Sequence, residues 1–200
     1  MDPRPAIAFV RERYGLDKPL FVQYFYYIKN VLGGDFGQSI TYRSAIGPVL
    51  LERIGPTVYI LLYGLTLSVL LTMILGVAAA WSRGGWIDQT IRILCVIGVG
   101  VPSYVAGLML VLVFSLTFKL FPVSGYGDSL FANLHHLFLP ALTIAISVTP
   151  ILTRNFRATL LQQMNAGYAI AALSKGVPEM TVFWRHVFWN SLLPTVSLFG

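Results

Sequence analysis

Long stretches without a single charge alternate along this chain with short connections that hold its charged residues. Thr57 to Trp81 is an uncharged run of 25 residues. As a helix rising 1.5 Å per residue it would reach about 37 Å, more than the roughly 30 Å hydrocarbon layer of a bilayer. Ile93 to Phe118 is a second such run, 26 residues long and ended by Lys119, with aromatic side chains near its far end as interfacial anchors. Leu137 to Thr153 adds 17 uncharged residues between His135-His136 and Arg154, at the short end of the spanning range. Val187 to Gly200 opens a fourth run of 14 residues, too short to cross alone. The pattern predicts spans at about 57–81, 93–118 and 137–160, a connection over 161–186, and the start of another span at 187–200. The first 56 residues differ in kind. Tyr14-Gly15-Leu16-Asp17-Lys18-Pro19 reads as a helix end and turn, and Pro19 to Leu32 carries five aromatics in a segment that either lies along the membrane surface or packs on the bundle.

Composition sharpens this. With 56% hydrophobic and 11% charged residues and a mean hydropathy of +0.72, the chain is neither a water-soluble globule nor a disordered one. Its net charge of +6 is spread between the apolar runs, so orientation in a bilayer explains the basic residues and nucleic-acid binding is not expected. Ser82 to Arg92 holds Arg83 and Arg92, and Arg154 to His186 holds Arg154, Arg157, Lys175 and Arg185, whereas Lys119 to His136 holds Lys119 alone. The first two connections are therefore expected on the cytoplasmic side. By parity Met1 to Pro56 is an external loop, although it carries seven basic residues and no secretory hydrophobic segment. A further transmembrane helix is accordingly expected ahead of it, and the sequence reads as the middle of a longer protein, incomplete at both ends.

The runs contain no Asp, Glu, Lys, Arg or His, so the usual marks of proton relays and membrane-embedded hydrolases are absent. There is neither a phosphate loop nor a nucleophile elbow, and Gly33-Gly34-Asp35-Phe36-Gly37 reads as a turn. Cys95 is a lone cysteine in an apolar run, and the adjacent His135-His136 point apart on a helix and read as interfacial hydrogen-bonding groups, so no metal site is expected. Pro102, Pro140 and Pro150 each remove a backbone donor and predict kinks, suited either to a translocation path or to irregular packing. In the last connection Ala166, Ala169, Ile170 and Leu173 form one apolar stripe at helical spacing, with Lys175 in the last turn, Gly176 as a stop and Pro178 beyond. Outside the membrane such a stripe is buried against headgroups, its own bundle or a groove on another protein.

The run Tyr168-Ala169-Ile170-Ala171-Ala172-Leu173-Ser174-Lys175-Gly176, followed by Trp184-Arg185-His186-Val187-Phe188-Trp189-Asn190-Ser191-Leu192-Leu193-Pro194, resembles the EAA loop of ABC importer permeases. Other segments are similar to the B-type permeases of dipeptide, oligopeptide and nickel importers: Tyr14 to Leu20, Gly34-Asp35-Phe36-Gly37-Gln38-Ser39, Val101-Pro102-Ser103-Tyr104, Phe121 to Gly127, Leu139 to Thr143, and Arg154 with Arg157-Ala158. Two departures stand out. Gly167 occupies the position of the usual acidic residue, and Ile170 and Leu173 replace arginines common within the motif.

The resemblance implies an all-α polytopic transmembrane bundle of the MetI-like permease type, in a multi-pass subunit of the bacterial inner membrane. It implies as partners a second permease subunit in a heterodimer, two cytoplasmic ATPase subunits and an extracytoplasmic substrate-binding protein. The subunit is then non-catalytic and carries no cofactor, ATP being hydrolysed by the partners. Peptides, glutathione and nickel chelates are the substrate classes handled by similar permeases, and a non-transport assembly protein is the rival reading. Tyr168, Ala169, Ala171, Ala172, Lys175 and Gly176 are implied as the ATPase-subunit contact, and Pro102, Ser103 and Tyr104 as part of the translocation path. A chain without a phosphate loop must receive its free energy from partners that bind its inward- and outward-open forms differently.

Overall fold

The computed structural model describes residues 17–39, 41–127 and 129–197; the expected turn at Tyr14 to Leu16 lies outside the described residues, as do residues 198–200 of the fourth run. The described residues are mainly helical, with one isolated antiparallel bridge between Gln38 and Ala45. The chain divides into two compact units, Met1–Thr57 and Val58–Gly200.

In the first unit, helix α1 (Leu20–Leu32) starts after Pro19 and ends at Gly33, whose N–H donates to the Lys29 carbonyl. It buries none of its residues within this unit, and Phe21, Tyr24, Phe25 and Tyr27 are exposed. The glycines that follow do form a turn: Gly34 and Gly37 have φ of 83° and 81°, and the Gly37 N–H donates to Asp35 Oδ1 at 2.9 Å.

Helix α2 (Ile46–Ser82) and helix α5 (Leu130–Met164) are each long and apolar enough to cross a membrane. α2 turns a stripe of small residues inward, Gly64, Ser68, Thr72, Gly76, Ala79 and Ala80, so that helix backbones approach closely. α5 begins at Ser129, whose hydroxyl accepts the Ala132 N–H at 3.3 Å. It runs unbroken through Pro140 and Pro150, so neither proline interrupts the span.

The run predicted as one kinked span over 93–118 is carried by two helices that meet at a sharp bend. α3 (Trp86–Gly100) starts well before the uncharged run, and α4 (Ser103–Leu110, continued by a π-helical turn Val111–Thr117) leaves it at 104°. The cause is local. A proline pushes the residue before it out of the helical region, and Val101 sits at φ −88°, ψ 118°. Pro102 then opens the next helix, its carbonyl accepting from Val105 and Ala106. α5 tracks this broken pair on one face at heptad spacing: Arg157 meets Asp88, Pro150 meets Gly98, and Thr143 meets Gly107.

Beyond α5 come α6 (Gly167–Ser174), α7 (Glu179–Val182), a π-helical turn (Phe183–Val187) and α8 (Phe188–Val196). Their shared core is Ala80, Phe156, Leu160, Met164, Ala169, Val182, Phe183 and Val187. Trp81 and Phe183 close it edge-on, ring centroids 5.2 Å apart.

Candidate functional site

α6 is held at both ends by its own backbone. Ala166 enters in extended conformation and its carbonyl accepts the Ala169 N–H at 2.9 Å. At the other end Gly176, at φ 80°, donates to the Leu173 carbonyl at 2.9 Å while the Val177 N–H reaches back to Ala172 at 3.2 Å. This is a Schellman turn, and Val177 and Ala172 pack on the same core as its usual apolar contact.

The eight-residue helix is divided between two surroundings. Ala169 is 1% exposed and belongs to the core, with Ala172 packed against it. Ile170 and Leu173 are 53% and 40% exposed. The stripe predicted as continuous from Ala166 to Leu173 is therefore split: a short helix lying across a bundle buries the positions nearest its own core and leaves the rest outside. Ala169, expected as a contact for an ATPase subunit, is enclosed by its own chain instead. The outward surface includes Tyr168, Ile170, Ala171, Leu173, Lys175 and Gly176. The Tyr168 hydroxyl donates to Gln163 Oε1 at 2.7 Å, which ties that surface to the end of α5.

Just before the loop, α5 carries Arg157. Its Nε and Nη2 donate to the two carboxylate oxygens of Asp88, each at 2.5 Å, and the Gly84 N–H donates to Asp88 Oδ2 at 2.9 Å. Asp88 is fully buried. It stands in the connection ahead of the uncharged run, where hydrogen bonding from Arg157 holds its carboxyl below the usual range against the opposing effect of burial. Arg83, in the same connection, pairs with Glu179 at the start of α7 at 3.2 Å. In the sequence Arg83 reads as an orientation signal and Arg157 as an orientation signal within a family-like segment, and nothing there singles out Asp88. The partners are 69 residues apart, and the nearest signal in the sequence, Arg92 four residues after Asp88, points to a local pair instead.

Pro102, Ser103 and Tyr104 sit together at the break between α3 and α4 and are exposed in this chain. They are separate from the loop: Thr143, level with α4, and Leu160, under α6, are about 26 Å apart along α5. Of the two histidines, His135 Nε2 bonds the Leu120 carbonyl at 2.9 Å, while the His136 ring faces Gly125 and its Nδ1 has no partner. Among the described residues no group of three or more His, Cys, Asp or Glu side chains could hold a metal.

A helix that breaks part-way through an apolar run, set in a helical bundle with no strand among the described residues and with a capped amphipathic helix between two of its members, defines a membrane-embedded permease-type fold. The sequence profile of the family described as "Binding-protein-dependent transport system inner membrane component" matches residues 72–200, and the chain belongs to that family. Among curated relatives it is similar to the glutathione transport system permease protein GsiC of Salmonella choleraesuis (strain SC-B67), 34% identical over 194 residues, 97% of this chain and 62% of the relative. The proteins of the same name from Salmonella typhimurium and from Escherichia coli (strain K12) are 34% and 32% identical over the same length. The chain thus spans 62% of the length of these relatives.

Proposed function

We propose that this chain belongs to a non-catalytic permease subunit of an ATP-driven importer in the bacterial inner membrane. It forms half of a path for peptides or a related small solute and couples to ATPase subunits through α6. The observation that carries this reading is the division of α6 into an inner side anchored by Ala169 and an outer apolar side bearing Ile170 and Leu173. An exposed apolar helix face, rigidly capped and built onto a bundle, suits insertion into a groove of another protein. In this reading the partners are a second permease subunit, two cytoplasmic ATPase subunits and an extracytoplasmic binding protein, and residues 1–56 form the external loop. Pro102, Ser103 and Tyr104 line the path. The names of the relatives favour glutathione, itself a modified tripeptide, over a nickel chelate as the first solute to assay.

The test uses the full-length subunit assembled with its partners in proteoliposomes. Hydrolysis of ATP should rise when loaded binding protein is added, and Leu173→Glu should abolish that rise while the subunit still inserts. An unchanged rise in Leu173→Glu removes the docking role, and failure of the subunit to co-purify with any ATPase favours the assembly-protein reading.

A further inference from the structure

Arg83, just after α2, and Asp88, in the first turn of α3, tie this corner to both flanks of the α6 loop: Asp88 to Arg157 on the helix that enters it, and Arg83 to Glu179 on the helix that leaves it. The two ties differ in kind. Arg83 and Glu179 are about half exposed, a setting in which an ion pair contributes little. Asp88 is enclosed and takes three hydrogen bonds, two of them from the planar fork of one guanidinium. Two well-packed apolar side chains would hold these helices together at least as firmly, so what the buried pair adds is a fixed angle and register. That register matters because the same helix, α3, meets Pro150 through Gly98 ten residues on and ends at the break before Pro102.

We infer that Asp88 and Arg157 are positioning residues that lock α3 to α5, so that a displacement of the α6 loop is delivered to the broken helix α3–α4. α6 moves with α5 because Ala169 shares a core with Phe156, Leu160 and Met164. α5 moves α3 because the Arg157 fork bonds both carboxylate oxygens of Asp88 in the first turn of α3. The inference rests on the transport reading and names the route by which its coupling signal travels.

Cys95, the one cysteine of this chain, lies on α3 beside Gly98 and Pro150 and reports on that route. The full assembly, with other cysteines replaced, would be reconstituted in nanodiscs and proteoliposomes carrying the unsubstituted subunit, Asp88→Asn, Arg157→Lys, or the exchange Asp88→Arg with Arg157→Asp. Three quantities are read: ATP hydrolysis stimulated by loaded binding protein, solute taken up per ATP, and the rate at which N-ethylmaleimide modifies Cys95 with and without ATP. Asp88→Asn should keep stimulated hydrolysis while uptake per ATP falls on the order of tenfold. The nucleotide dependence of Cys95 modification should vanish in the same variant. Arg157→Lys, a point charge that cannot bond both oxygens, should fall in between, and the exchange should restore part of the loss. Unchanged uptake per ATP and an unchanged nucleotide response in Asp88→Asn overturn the inference alone. Loss of assembly in all three variants also overturns it, by reducing the pair to a folding element. Absence of stimulation in the unsubstituted assembly overturns the transport reading, and the inference with it.

Discussion

Gly98 and Pro150 pack so closely that a methyl group on Gly98 would lie 2.7 Å from the Pro150 ring carbon Cγ. A proline ring is not a flexible tip that can swing aside. Gly98→Val is therefore expected to force α3 away from α5 and to destabilise the bundle by about 1–3 kcal/mol. Two residues further on, Gly100 has open space where its side chain would be, and Gly100→Ala should be neutral or slightly stabilising. Thermal unfolding of the two variants in detergent separates them.

Gly176 poses the opposite problem. Nothing lies within 4 Å of the place its side chain would occupy, yet its φ of 80° lies in the left-handed region that favours glycine. Gly176→Asn should cost well under 1 kcal/mol because asparagine tolerates this conformation, whereas Gly176→Val should cost about 1–2 kcal/mol and unwind the Schellman turn. The corresponding functional expectation is that binding-protein-stimulated ATP hydrolysis survives in the asparagine variant and is lost in the valine variant.

Asp88→Ala leaves Arg157 with no acceptor and should lower stability by about 3 kcal/mol, the low end for a broken buried pair since Arg157 keeps some access to water. The pair also fixes the acid response. Its folded carboxyl titrates below the ordinary value of about 3.9, so its contribution is complete above that value and is lost only as pH falls through the lower, folded one. Unfolding midpoints should show no loss from this pair between pH 8 and about pH 5, and a difference between the unsubstituted protein and Asp88→Asn should close only below about pH 4.

Phe183 is 2% exposed and joins the core beneath α6 to Trp81. Phe183→Ala should cost about 3–5 kcal/mol and loosen the loop before the spans melt. Faster tryptic cleavage at Lys175 and Arg185, ahead of any change in helix content by circular dichroism, is the expected signature.

Much of this was legible in the sequence because a bilayer imposes simple rules. Apolar length located α2 and α5, and the glycine at 176 with the proline after it marked the end of α6. What stayed hidden depended on distance in the chain. Hydrophobic spacing could say that the loop helix has an apolar side but not that Ala169 and Ile170, adjacent in sequence, lie on opposite sides of the boundary between core and surface. Charge counting placed Arg157 at a membrane face yet carried no information about Asp88. The prolines show the same limit: Pro102 ends a helix, where Val101 is free to become extended, while Pro140 and Pro150 are absorbed inside α5. A missing donor is common to all three, and only the surrounding packing decides whether the helix stops.

The right-angle turn at Val101 sets the carboxyl end of one helix beside the amino end of the next, part-way along an apolar run. Each helix end brings main-chain groups that its own turns cannot satisfy, oxygens from one and nitrogens from the other. On the proposed transport reading, a solute rich in amide bonds that reached this point would meet main-chain acceptors and donors together and would exchange bonds to water for bonds to the protein.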